Sequence, residues 1–119
     1  MKHNVCLVIG TRPEAIKMAP VVAAIREHPH LEPLVIATTQ HREMLKQALD
    51  VFGIEPDIDL GLMQNGQNLG VFTSRAMAAL TECFLEHRPD FLLVQGDTST
   101  VTAACLAGFY QGIPIGHIE

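Results

Sequence analysis

The stretch VCLVIGTRPEAIKMAP, residues 5–20, decides the class of fold. Its first five residues are apolar and rich in β-branched side chains, which is typical of a strand buried on both faces of a parallel sheet. Gly10 then turns the chain, and Pro13 favours the first turn of a helix that we expect to end near His28-Pro29-His30. A strand followed directly by a helix is the repeating unit of an α/β protein.

The same alternation continues to the end of the chain. Apolar runs predict further strands at residues 34–37, 57–60, 91–94 and 113–118, with helices between them. In the first helix the residues predicted to be buried are Ile16, Ala19, Val22, Ala23 and Ile25. Alternating strands and helices predict right-handed crossovers, helices on both faces and the common strand order 3-2-1-4-5. Residues 1–119 therefore read as a three-layer, Rossmann-like parallel sheet whose order reverses between the first and fourth strands.

Length, charge and hydropathy exclude several classes of function. The chain has 119 residues, which suits one compact domain. Eight Lys and Arg against thirteen Asp and Glu give a net charge of -5, which argues against a nucleic-acid surface. The apolar runs are too short for a signal-peptide core or a membrane span. We expect a cytoplasmic protein that binds neither nucleic acid nor membrane.

Cysteine and histidine spacing indicates no metal site. Cys6, Cys83 and Cys105 lie far apart in apolar stretches, which is typical of buried free thiols. Of the six histidines, only His28 and His30 are clustered, at the expected end of a helix. We therefore expect no bound metal.

Polar residues gather where the predicted sheet order reverses. Ligands of open α/β sheets bind beyond the carboxyl ends of the strands at such a reversal. The loops after the first and fourth strands carry Arg12 and Asp97, and the fifth strand carries His117 and Glu119 on one face. These four side chains are predicted to converge.

The residue types at the reversal suggest roles, each with a simpler alternative. Arg12 at a helix start, with Lys17 about one turn further on, is suited to hold a phosphate or carboxylate. The alternative is that Arg12 pairs with Glu14 or caps a loop, and that Lys17 is merely solvated. Asp97 and Glu119 are candidates for an acid–base pair. The alternatives are that Asp97 is a helix N-cap and Glu119 a surface residue.

Polar residues at other helix starts are weaker signals. Gln40 and His41 precede the second predicted helix and Gln67 precedes the third, where capping is the common role. No spacing matches a Walker loop, a dinucleotide fingerprint, a zinc motif or a nucleophile elbow. From the residues alone, the chain is an anion-binding α/β half with a carboxylate pair.

Four motifs in one order and spacing add a family resemblance. GTRPEAIKMAPVV, TTQHREML, VQGDTSTVTAA and PIGHIE resemble the bacterial non-hydrolysing UDP-N-acetylglucosamine 2-epimerase family, essentially from end to end. The resemblance implies two Rossmann-like halves of a glycosyltransferase-B-type fold that close over a nucleotide sugar. This chain, residues 1–119, then corresponds to most of the N-terminal half, and the C-terminal nucleotide-binding domain is absent.

The resemblance also implies an activity. It is an isomerase activity that converts UDP-N-acetylglucosamine (UDP-GlcNAc) to UDP-N-acetylmannosamine (UDP-ManNAc) by elimination and re-addition of UDP. The activity serves surface polysaccharide synthesis and needs no nicotinamide cofactor. The resemblance further implies that the full-length protein is a homodimer. The family pattern continues past Glu119, so we expect the chain alone to be inactive.

Residue roles follow from the same resemblance. Asp97 and Glu119 match acidic catalytic positions, while Arg12 and Lys17 match basic residues that bind the substrate. His117 matches the histidine of the family's His-hydrophobic-Glu run, with a substrate-binding or a structural role. The positions that match a second, regulatory UDP-GlcNAc site are Gln40, His41 and Gln67.

Two other functions fit the same fold. A hydrolysing epimerase or a glycosyltransferase also holds a diphosphate between two such halves. A non-catalytic nucleotide-binding or docking module would instead use exposed apolar surface as an interface. The residues of this chain leave all three functions open.

Overall fold

A computed structural model describes residues 1–39, 42–64 and 66–119. Its elements, in chain order, are β1 (His3–Ile9), α1 (Arg12–Glu27), β2 (Leu31–Ala37), α2 (Arg42–Val51), β3 (Ile58–Asp59), α3 (Leu69–His87), β4 (Phe91–Gln95), α4 (Ser99–Tyr110) and β5 (Ile115–Ile118). The α/β prediction is confirmed. None of the helices in these ranges combines the length and the apolar composition needed to cross a bilayer.

The strands form one parallel sheet in the order β3-β2-β1-β4-β5. This order confirms the predicted reversal between the first and fourth strands. β1 pairs with β2 along its whole length, and it pairs with β4 where Val5 lies opposite Phe91. Because β1 and β4 are neighbours, the loops that follow them open at the same edge of the sheet.

Each face of the sheet carries its own hydrophobic core. On β1, Cys6 and Val8 pack with the buried residues of α3 and α4. Val5, Leu7 and Ile9 pack on the other face with α1 and α2. A central strand buried on both faces needs apolar side chains at every position, which explains the uninterrupted run at residues 5–9. The three-layer prediction is confirmed.

The buried face of α1 differs from the predicted one. Ile16 is 42% exposed and Ala23 is also exposed, so neither belongs to the core. The two residues are seven positions apart and therefore share one side of the helix, beside the buried face. The apolar residues that α1 does bury are Ala15, Met18, Ala19, Val22 and Ile25. The helix continues past Pro20.

The cysteines are free, as predicted. Cys6 and Cys83 are buried, and Cys105 is partly exposed. Cys6 lies in the core between the sheet and the helices α3 and α4. These thiols act as small apolar side chains in the described structure.

Candidate functional site

A cleft of about 380 Å³ opens at the carboxyl ends of β1, β4 and β5. Its walls come from the loop after β1, the first two turns of α1, the loop after β4 and the end of the chain. The lining residues are Thr11, Pro13, Glu14, Lys17, Gln95, Gly96, Asp97, Thr98 and Glu119. The cleft thus lies at the reversal of strand order, where open α/β sheets bind their ligands.

Larger cavities lie elsewhere, away from the reversal of strand order. One of about 720 Å³ lies between α2 and β3, away from the reversal, and another of about 600 Å³ lies beside the amino ends of β1 and β4. The second is lined mainly by apolar side chains such as Val5, Ile25 and Leu93. The first is lined by Lys46 and by carboxylates that include Asp59, but it lies at the β2–β3 edge and not where the strand order reverses. The 380 Å³ cleft is the candidate site because of its position at the reversal.

Three of the predicted site residues meet in this cleft. Lys17 lies on the α1 wall, and Asp97 and Glu119 lie at the ends of β4 and β5. Of the four side chains that were predicted to converge, two line this cleft and two do not. Arg12 is exposed at the first position of α1, and neither Arg12 nor His117 is among the residues that line the cleft. Arg12 sits at the margin because its chain neighbours Thr11 and Pro13 line the cleft, and His117 does so because it contacts Gly96.

Asp97 is not a helix cap. The N-cap of α4 is Thr98, so the alternative role considered for Asp97 is wrong. Gly96 adopts a φ of +85°, which favours glycine and turns the chain between β4 and Asp97. Asp97 is exposed at the cleft wall.

His117 fixes the loop that carries Asp97. Its Nε2 lies 2.6 Å from the carbonyl oxygen of Gly96, and a carbonyl only accepts, so this nitrogen carries the proton. The Gly96 amide in turn donates to the carbonyl oxygen of Ile118 at 3.2 Å. The end of β5 therefore holds the turn before Asp97 from two sides.

Arg12 and Lys17 are cations close to the cleft. Within residues 1–39, 42–64 and 66–119, neither Arg12 nor Lys17 forms an ion pair. The predicted alternative in which Arg12 pairs with Glu14 is therefore wrong. An anion at the start of α1 would meet an unpaired cation and the free backbone N–H groups of the first helical turn.

Glu14 is a site residue that the sequence analysis treated only as a partner for Arg12. It is 1% exposed, and its carboxylate accepts hydrogen bonds from the Gly10 amide at 3.3 Å, the Thr11 hydroxyl and the Thr98 hydroxyl at 3.2 Å. Burial raises the pKa of this carboxyl above its ordinary value, and the hydrogen bonds oppose that rise. The residues Thr11-Arg12-Pro13-Glu14 fit a capping-box pattern, the signal that predicts a role for Glu14 at the helix start.

Gln67 lies outside the cleft lining and is held within its own segment. Its Nε2 donates to the Leu62 carbonyl oxygen at 3.2 Å, and its Oε1 accepts from Arg75 at 3.0 Å. Gln40 and His41 lie outside the described residues. The regulatory roles of these three residues stay predictions.

The arrangement brings Lys17 into one cleft with the exposed carboxylates of Asp97 and Glu119, while the carboxyl of Glu14 is buried in the α1 wall. A group with a negative charge fits against Lys17 and the α1 start, and a proton can move to or from Asp97 or Glu119 on the other side. In the described parts of the chain, no three His, Cys, Asp or Glu side chains are grouped to hold a metal ion. Fold and site together define a Rossmann-like α/β domain with a polar cleft where its sheet order reverses.

The chain belongs to the UDP-N-acetylglucosamine 2-epimerase family, whose sequence profile matches residues 23–119. The UDP-N-acetylglucosamine 2-epimerases of Salmonella typhimurium and Bacillus subtilis are 53% and 49% identical to it, over 98% and 99% of this chain. Those matches extend to the Arg12 and Lys17 region, which the profile match does not include. The resemblance of the four motifs to UDP-N-acetylglucosamine 2-epimerases is thereby confirmed.

A solved structure matches the fold over nearly the whole chain. The UDP-GlcNAc 2-epimerase of Neisseria meningitidis, crystallised bound to UDP-GlcNAc, gives a TM-score of 0.92 and 49% identity, covering 98% of this chain and 31% of that one. This chain also spans 31% of the length of the Salmonella and Bacillus relatives. It therefore carries about a third of the structure that those enzymes possess.

Proposed function

We propose that this chain forms one wall of the active site of an isomerase that interconverts UDP-GlcNAc and UDP-ManNAc without hydrolysis. The observation that carries the proposal is the meeting of Lys17, Asp97 and Glu119 in one cleft at the reversal of the sheet. Family membership supplies the substrate class. A cation and two carboxylates are the groups that this reaction requires.

The reaction is difficult by direct deprotonation, because the sugar C2 proton is not next to a carbonyl. Elimination avoids this problem: a base takes the C2 proton, the C2–H electron pair forms a C1=C2 double bond, and UDP leaves with the electrons of the C1–O bond. UDP then returns to C1 while C2 receives a proton on the opposite face. The net change is inversion at C2, with no redox step and no cofactor.

The predicted catalytic and substrate-binding residues each have a role in that reaction. Lys17, joined by Arg12 from the margin, stabilises the negative charge on the departing diphosphate. Asp97 and Glu119 take up and return the proton, because catalysis of this kind needs groups near both faces of C2. His117 keeps the Asp97 loop in place through Gly96.

The chain alone is proposed to be inactive. It spans 31% of the length of its relatives, and the region that grips the uridine is expected in the remaining part. We also propose that it is most of the N-terminal half of a two-domain, glycosyltransferase-B-type enzyme. A homodimer, a cytoplasmic location and a regulatory site that includes Gln67 remain predictions.

The experiment uses a protein of the relatives' full length. In what we name the extended protein, residues 1–119 are continued, in register, by the part of the Salmonella typhimurium relative that follows the matched segment. Proton NMR in D2O follows UDP-GlcNAc with the extended protein, with the chain alone and with the Salmonella relative as a positive control. We expect UDP-ManNAc with deuterium at C2 from the extended protein.

Each other outcome points to a different function. Free N-acetylmannosamine would contradict the non-hydrolysing reaction and indicate a hydrolysing epimerase. No reaction from a folded extended protein, beside an active Salmonella control, would contradict an enzymatic role for this chain and favour a nucleotide-binding module.

A further inference from the structure

Glu14 joins two loops that are far apart in the chain. Its Oε2 accepts hydrogen bonds from the hydroxyls of Thr11 and Thr98, and its Oε1 accepts from the Gly10 amide. Thr11 and Gly10 belong to the loop before α1, whereas Thr98 lies 84 residues from Glu14, in the loop before α4. One buried carboxylate therefore contacts both sides of the cleft.

The two threonines occupy equivalent positions and are used in the same unusual way. Thr11 is the N-cap of α1 and Thr98 is the N-cap of α4, yet neither side chain makes a hydrogen bond that caps its own helix. N-cap threonines ordinarily accept from the second or third helical N–H. Both hydroxyls instead donate to Glu14, so the helix starts are tied to each other.

We propose that Glu14 is a positioning residue that holds the two loops of the cleft in one arrangement through Thr11 and Thr98, and thereby sets the distance between Lys17 and Asp97. The inference rests on the proposed function for its catalytic consequence. Lys17 is three residues after Glu14 on α1, and Asp97 directly precedes Thr98. Glu14 is thus about one helical turn from Lys17, and its partner Thr98 adjoins Asp97.

A capping role alone does not account for this geometry. A capping box satisfies the N–H groups of its own helix start, and Gly10 and Thr11 would suffice for Glu14 in that role. The bond to Thr98 adds nothing to the capping of α1. This bond fixes the distance between the starts of α1 and α4. That distance matters because small displacements of reacting groups lower the reaction rate strongly.

The test removes only the bond between the loops. In the extended protein, Thr98→Val deletes the hydroxyl, and Thr98→Ser retains it. The matched control is Thr81→Val, which deletes a threonine hydroxyl bonded to the Met77 carbonyl oxygen at 2.7 Å in α3, outside the cleft lining. For each protein we would measure kcat, KM, the melting temperature and amide hydrogen exchange by mass spectrometry.

We expect Thr98→Val to lower kcat by about tenfold with little change in KM, since the geometry of the reacting groups is lost while ground-state binding remains. Amides of residues 10–12 should exchange faster together with those of residues 96–99. Thr98→Ser and Thr81→Val should keep kcat, and Thr81→Val should alter exchange only in α3.

Three results would overturn the proposal: unchanged exchange at residues 10–12 in Thr98→Val, the same loss of kcat in Thr98→Ser, or an equal loss in Thr81→Val. If the unmodified extended protein is inactive, the proposed function fails, but the exchange data still decide whether Glu14 ties the loops together. Coupled exchange of both segments would then support the structural link without the catalytic consequence.

Discussion

The hydroxyl oxygens of Thr38 and Thr100 lie 2.9 Å apart, although 62 residues separate them in the chain. Both residues are fully buried, and their contact brings the end of β2 against the first turn of α4. Gly10 lies between them, where a Cβ would be 2.1 Å from the Thr100 hydroxyl oxygen and 2.7 Å from that of Thr38. The ends of β1 and β2 and the start of α4 can pack this closely because residue 10 has no side chain.

Gly10→Ala should therefore destabilise the fold by about 1–3 kcal/mol, the usual effect of overpacking a filled site. Urea denaturation of the chain, followed by circular dichroism, measures this change. Gly70→Ala is the control, because a Cβ there meets only the Asn68 side-chain oxygen at 3.3 Å. Equal urea midpoints for the two variants would contradict the packing at Gly10.

The buried carboxyl of Glu14 should give the stability of the chain a pH dependence. Its pKa is raised in the folded state above the ordinary value of 4.5, so the folded state holds the proton more tightly than the unfolded state does. That contribution is present at low pH and is lost as the pH rises above 4.5 and through the folded pKa. Stability should fall with pH by this amount in the native chain and not in Glu14→Gln.

Urea midpoints measured at several pH values test this expectation. Glu27→Gln is a suitable control, since it removes a carboxylate at the exposed far end of the same helix. If the native chain and Glu14→Gln gave parallel profiles, burial of Glu14 would not control the slope.

Cys6 should resist alkylation until the chain unfolds. It is 0% exposed, and its burial, with smaller contributions from Cys83 and Asp57, raises the thiol pKa far above its usual range. Since the thiolate is the reactive form, iodoacetamide should modify the partly exposed Cys105 faster than Cys6. Mass spectrometry of the folded chain and of the chain in urea would show the difference, and equal labelling in the folded state would contradict a buried β1.

Replacement of the carboxylates in the cleft should remove activity without unfolding. In the extended protein, Asp97→Asn and Glu119→Gln should each lower kcat by about 10²-fold or more, as expected when an acid–base group is lost. Asp50→Asn, which changes an exposed carboxylate of α2, should leave kcat as it is. Full activity of Asp97→Asn would require a different acid–base group.

Replacement of Lys17 should mainly weaken the interaction with the diphosphate of the substrate. Lys17→Met in the extended protein should weaken inhibition by UDP and lower kcat, because charge builds up on the diphosphate as it leaves. Lys46→Met, an exposed position of α2, serves as the control. Unchanged inhibition by UDP in Lys17→Met would remove Lys17 from the proposed site.

The sequence predicts the topology well because its strands are short apolar runs with clear breaks. The uninterrupted run at residues 5–9 marks the central strand, and the strand order follows from general rules for crossovers. The buried face of α1 is harder to predict. Apolar residues occur almost all round this helix, so periodicity does not distinguish Met18 from Ile16.

The site was predictable in its location and less so in its contacts. Asp97, Thr98 and Ser99 are all good N-cap residues, so their order in the sequence does not identify Thr98 as the cap. The local pattern likewise shows Glu14 near Thr11 and is silent on Thr98. That contact depends on how two loops from distant parts of the chain pack together.

The central place of β1 has a consequence for synthesis on the ribosome. Translation produces β1 well before β4, yet β4 is one of its two neighbours, with Val5 opposite Phe91. Until β4 emerges, the nascent chain presents an apolar strand with an unpaired edge, which is prone to aggregation. Residues 5–9 are therefore the segment that most needs protection from other chains until β4 pairs with β1.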